Sequence, residues 1–109
     1  MADVLGAFEQ AVLLAIVRLR HDAYGRAILK EVEARLQREI APGAVHATLN
    51  RLETKALVSS RVGSGTPIRD GRARRYYAIE ADGVRALNDA RTAMNNIWQG
   101  FDRPLKIRG

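Results

Sequence analysis

The sequence has no cysteine. Disulfides, thiolate metal sites and a cysteine nucleophile are therefore excluded, and an intracellular home is the simplest fit. Histidine occurs twice, as His21 and His46, at a separation that matches no metal-ligand motif. His21-Asp22 alone does not make a hydrolytic metal site. The longest apolar run, Ala11 to Val17, falls far short of the roughly 20 residues that cross a bilayer. Asp3 and Glu9 appear early and no Lys or Arg does, so no signal peptide is expected. There is no glycine-rich phosphate loop. With no assembled catalytic set, no enzyme activity, cofactor or metal is expected. Internal repeats and low-complexity tracts are also missing.

What is present is a single-domain length of 109 residues and an excess of base over acid. Lys and Arg number 18 against 12 Asp and Glu, giving a net charge of +6. In so small a chain that excess points to a polyanionic partner, most simply nucleic acid.

Hydrophobic spacing divides the chain into six segments. Leu5, Phe8, Val12, Ile16 and Leu19 recur at three- and four-residue steps and predict a first helix. Leu13, Leu14 and Val17 widen its stripe, so burial on more than one side is expected. A second helix runs from about Tyr24 to Arg38, with Asp22 as N-cap and Ile28, Val32 and Leu36 on its core face. Ala41-Pro42-Gly43 opens a third helix, since proline suits a first turn. Val45, Leu49, Leu52 and Ala56 mark its core face, and His46, Asn50, Arg51, Thr54 and Lys55 its outer face.

The period then changes. Leu57 to Val62 and Arg74 to Ile79 read as two strands of a hairpin, joined by a tip of about 10 turn-rich residues. Five arginines and one acid, Asp70, lie between Arg61 and Arg75, a local charge of about +4. A last helix runs from about Asp82 to Gly100. Val84, Leu87, Ala90, Met94, Ile97, Trp98 and Phe101 lie on one side of it. Little core remains for that side to cover, so a second subunit is expected there.

Three helices followed by a hairpin is the order of a winged helix-turn-helix, mainly α with a β-hairpin, with a C-terminal dimerisation helix added. The boundaries expected are 1–81 for the DNA-binding domain, 82–101 for the dimerisation helix and 102–109 for a basic tail. The third helix would enter the major groove, and the wing arginines would meet phosphates or the minor groove.

The candidate DNA contacts follow from that placement. His46 and Asn50 lie one turn apart on the outer face, and Asn can pair bidentately with adenine. Arg51 and Lys55 suit phosphate positioning, although Lys55 also suits a helix-end charge. Arg72, Arg74 and Arg75 form the wing's phosphate group. Alternation along a strand sends Arg74 and Arg75 to opposite faces, so one of them is free to pair with an acid of the domain. Tyr76 and Tyr77 should divide between core and surface in the same way. Tyr24 anchors the second helix or hydrogen-bonds a phosphate, and Gly43 joins the DNA-contact candidates. Leu5, Phe8, Leu87, Met94, Ile97, Trp98 and Phe101 are the candidates for a dimer interface. Trp98, with Met94 and Phe101, would either pack there or wall a pocket for a flat aromatic effector.

Asp22-Ala23-Tyr24-Gly25 with Ile28, Gly43-Ala44-Val45 with Leu49, Arg51-Leu52-Glu53, Leu57-Val58, and Arg74-Arg75-Tyr76-Tyr77 with Gly83 resemble the PadR family of transcriptional regulators. The resemblance covers roughly residues 5 to 100 and is closest to the short type with one C-terminal helix. It implies a homodimeric, cytoplasmic bacterial repressor of double-stranded DNA, dimerised through the last helix with help from the first. An inverted-repeat operator and release by a small effector would follow. The competing expectation is a winged-helix protein–protein interaction module. Three positions depart from the family's usual residues: His46 stands for Tyr, Glu80 for Thr and Ala56 for Gly. Ala56 implies that the third helix ends without a left-handed glycine cap.

Overall fold

The computed structural model describes residues 4–63 and 74–108. Helix α1 spans Ala7–Leu19, α2 Gly25–Leu36, α3 Pro42–Thr54 and α4 Ala81–Ile97. Strands β1 (Val58–Val62) and β2 (Arg75–Ile79) pair antiparallel, with Val58 opposite Ile79 and Val62 opposite Arg75. The hairpin tip, Arg72 included, lies outside the described residues.

α1 is built from the long apolar stripe. Val12, Leu13, Ala15 and Ile16 are buried, and Leu5 closes the core just ahead of the helix. Leu14 and Val17 are exposed, so within the chain α1 is covered on one side, not on several as its width predicts. Ile28 and Val32 of α2 and Val45, Leu49 and Leu52 of α3 complete the centre, together with Ile40 and Tyr77. Leu36 is exposed, because α2 runs past the core there.

Helix α4 ends at Ile97 rather than near Gly100, so Trp98 and Phe101 lie in the cap and turn beyond it, and the capping of two other helix ends differs from expectation. Asp22 does not cap α2. It belongs to a 3₁₀ turn, Arg20–Asp22, and Tyr24 stands at the N-cap with extended backbone. Extension puts Ala23 and Tyr24 beside β2: the Tyr77 amide donates to the Ala23 carbonyl at 2.8 Å and Tyr24 bridges to Tyr76. Sheet pairing has displaced the Asx cap.

The second difference is at Ala56, which is exposed and follows the helix instead of continuing its core face. Its φ is +62°, so the left-handed cap forms without glycine. The Leu57 amide donates to Leu52 and the Ala56 amide to Glu53, both at 2.9 Å. That pair of bonds is the Schellman closure. An alanine held there costs on the order of 1 kcal/mol.

The turn delivers the Leu57 carbonyl to α4. The Glu80 amide donates to it at 2.9 Å, and a Cβ on Gly83 would come within 2.3 Å of the same oxygen and 2.7 Å of Ile79 Cγ1. Glycine is the residue that lets α4 seat this closely.

Candidate nucleic-acid interface

α3 turns His46 and Asn50 to solvent, one helical turn apart. Among the described residues, beyond its chain neighbours and its own helix backbone, nothing lies within 4 Å of a Cβ built on Gly43, so their packing does not call for glycine at the start of this helix. Thr48, by contrast, is buried, and its hydroxyl accepts from Arg51 Nη2 at 3.0 Å. This bond holds the Arg51 guanidinium along the helix while the residue stays exposed. Thr48 was not legible as core, because a lone Thr on a helix gives no periodic signal.

Lys55 has a partner that its sequence position does not reveal. Its Nζ lies 3.3 Å from Glu9 Oε2, joining the end of α3 to the start of α1 across 46 residues. The ammonium is thus shared with an acid of the domain.

The wing strands carry the cations as alternation requires. The Arg75 guanidinium donates to Ser60 Oγ at 3.0 Å, and Ser60 Oγ donates to Glu53 at 2.7 Å. Arg75 is the arginine turned to the domain's own acid, through one hydroxyl. Arg74 instead stacks on Tyr24, its guanidinium carbon 4.2 Å from the ring centroid. Tyr24 meets Tyr76 edge-on at 5.8 Å, and Arg61 lies over Tyr76 at 5.1 Å. A ladder of two arginines and two tyrosines therefore locks the wing's base to the start of α2. Tyr77 goes the other way, into the core. Burial raises its phenol above the ordinary value; Arg75 opposes this with a smaller lowering, and Glu53 adds a smaller rise.

The apolar candidates separate into two groups. Leu5 is buried in the chain's own core, and Phe8 and Leu87 pack half-buried against it. Met94, Ile97, Trp98 and Phe101 are exposed, Ile97 by 69% and Trp98 by 47%. Glu80 supplies no cap bond to α4, and its carboxylate accepts from Ser59 Oγ at 2.8 Å. His21 and Asp22 are an exposed surface pair 4.0 Å apart. Among the described residues no group of three or more His, Asp or Glu could hold a metal ion, and no helix is long and apolar enough to cross a membrane.

Helix-turn-helix, wing and trailing helix define a winged-helix protein of the kind that regulates transcription. The particular family is given by sequence: the profile of the transcriptional regulator PadR-like family matches residues 13–89, and the chain belongs to that family. Solved structures agree. The chain is similar to a PadR family transcriptional regulator from Eggerthella lenta, at 27% identity and TM-score 0.64, over 82% of this chain and 75% of that one. It is similar to RosR of H. salinarum at 26% identity and TM-score 0.67, over 92% and 83%. A PadR family regulator from Clostridium difficile shares the fold at 22% identity and TM-score 0.65, over 88% and 98%. Comparison with curated protein sequences gives no match.

Proposed function

We propose that the chain acts as a homodimeric repressor that binds an inverted-repeat operator and is released by a small aromatic effector. The observation that carries the DNA part is the joint exposure of His46 and Asn50 on α3, next to a hairpin whose arginines are anchored at the base. Asn50 reads a base, His46 and Arg51 engage the backbone, and the open space at Gly43 lets a phosphate approach the first turn of α3. Arg72, Arg74 and Arg75 serve the wing, with Arg75 steadying the strand. Residues 1–81 form the DNA-binding unit, 82–101 the dimerisation helix and 102–109 a basic tail. The exposed Met94, Ile97, Trp98 and Phe101 meet a second copy, and the space between the two Trp98 rings is where a flat effector would stack.

The test is a fluorescence-anisotropy titration of the DNA upstream of the protein's own gene and of an unrelated duplex, each at two salt concentrations. Binding to the first duplex alone is expected. Asn50→Ala should weaken it by about 1–3 kcal/mol and relax its sequence preference. Failure to bind either duplex at low salt would overturn the reading and favour a protein partner.

A further inference from the structure

Past α4 the backbone is set against helix. Gly100 turns with a φ of +92°, where glycine alone is at ease, and Pro104 holds the residue before it extended. Residues 101–108 accordingly carry no helix or strand. From Leu105 to Arg108 apolar and basic residues alternate. Leu105 and Ile107 share one side and Lys106 and Arg108 the other, the period-two pattern of an extended segment covered along one side. Within the chain that side is bare, with Leu105 exposed by 67% and Ile107 by 99%. Attraction to a polyanion accounts for the two cations and not for the apolar row between them.

α1 shows the matching deficit. Val12, Leu13, Ala15 and Ile16 are buried, yet Leu14 is 38% exposed and Val17 45%, one turn apart on the outer side of the helix. Leu105 and Ile107 stand about 7 Å apart in an extended chain, and residues three apart on a helix surface about 5–6 Å, so the two apolar pairs agree in spacing.

We propose that residues 104–108 form an arm that lies along α1 of a second copy, setting Leu105 and Ile107 on Leu14 and Val17. The proposal rests on the homodimer read above and adds one segment and one surface to it. Three observations choose a second copy as the occupant. The arm continues directly from Met94, Ile97, Trp98 and Phe101, the exposed residues assigned to the other subunit, so it starts at the subunit boundary. α4 also carries it away from its own body, since the helix is seated at Gly83 and Ala90 and every residue from Met94 to Arg108 is exposed. Exchange about a two-fold axis is reciprocal, so each arm finds an α1 and neither is left over to recruit a third chain.

The sequence has no cysteine, so engineered pairs report contacts cleanly. A tagged chain carrying Leu14→Cys is mixed with an untagged chain carrying Ile107→Cys, exchanged under reductant, then oxidised and separated by size. A covalent mixed dimer is expected. It should form at least about 10-fold faster than from Ile107→Cys and Val62→Cys, which lies at the far end of β1. Sedimentation equilibrium then weighs the arm. Leu105→Ser/Ile107→Ser should weaken self-association about 10-fold, while Lys106→Gln/Arg108→Gln leaves it at the wild-type value. Circular dichroism should show every variant folded, because each altered residue is exposed. Equal rates for the two cysteine pairs, or unchanged association in the serine variant, overturn the arm and leave the dimer standing. A disulfide closed within one chain, when both cysteines sit in the same polypeptide, overturns the second copy as occupant. Weakening by the glutamine variant alone makes the segment a cationic element and overturns the apolar contact. A wild type that stays monomeric at all concentrations overturns the dimer itself, and the arm with it.

Discussion

From Ala81 to Ala90 the last helix buries small residues, and from Met94 through the turn that follows Ile97 to Phe101 the chain exposes large ones. The first half seats Gly83 and Ala90 against the chain, with Ala86 and Leu87 half-covered beside them. Close approach is its principle, and small side chains are what permit it. The second half and the turn after it carry Met94, Ile97, Trp98 and Phe101 into solvent, the face proposed above for a second copy. One helix thus begins in a finished internal contact and ends in an exposed apolar face.

The largest effect should come from breaking the first half. Gly83→Ala adds a methyl 2.3 Å from the Leu57 carbonyl. Overpacking of this kind costs about 1–3 kcal/mol, against a gain in helix propensity of roughly 1 kcal/mol. The clash is with a backbone oxygen, so the upper end of that range applies, and urea unfolding should show net destabilisation of about 2 kcal/mol. An unchanged midpoint would mean that α4 is not seated at Leu57.

Trp98→Ala tests the second half. Sedimentation equilibrium should show self-association weakened by about 1.4 kcal/mol, or roughly 10-fold in dissociation constant. Helix content at high protein concentration should hardly move. Equal association of variant and wild type would place the subunit contact elsewhere.

Ala56→Gly sharpens the contrast by improving only the first half. It relieves the left-handed alanine that aims the Leu57 carbonyl at α4, at some cost in unfolded-chain entropy. A gain of about 0.5 kcal/mol in thermal unfolding is expected, with association unaffected. Loss of stability would show that the strain is borne without penalty.

The smallest effect lies at the hairpin behind Gly83. Buried Tyr77 keeps its proton in the folded chain to a higher pH than in the unfolded one. Stability from this source is intact below the ordinary phenol value of 10.0 and falls as pH rises above it. Tyr77→Phe should flatten that fall in pH-dependent unfolding scans, and an identical slope in the variant would discount the group.

Much of the fold could be read from periodicity, and the reason is visible in the core. Val12 and Ile16, Ile28 and Val32, and Val45, Leu49 and Leu52 are the residues whose helical spacing announced the three helices, and all are buried. The division of Tyr76 and Tyr77 followed from strand alternation. Helix ends were less legible because they depend on partners distant in sequence. Asp22 looks like a cap until β2 claims the neighbouring backbone, and Ala56 looks helical until Leu52 and Glu53 accept the amides that follow. The exposed face of α3 was legible for the same reason as its core. The Lys55–Glu9 pair and the stacking of Arg74 on Tyr24 were not, since each joins elements that only tertiary packing brings together.

The seat of Gly83 on the Leu57 carbonyl also acts as a pivot. Ile97 lies 14 residues further along the helix, a lever of about 21 Å at 1.5 Å per residue. A tilt of about 10° at the pivot would therefore carry the far end by roughly 4 Å. In the proposed dimer that swing alters the distance between two reading helices while each DNA-binding unit stays rigid. Gearing of this sort would let the proposed effector, no larger than one aromatic ring, change which operator spacing the proposed pair can span.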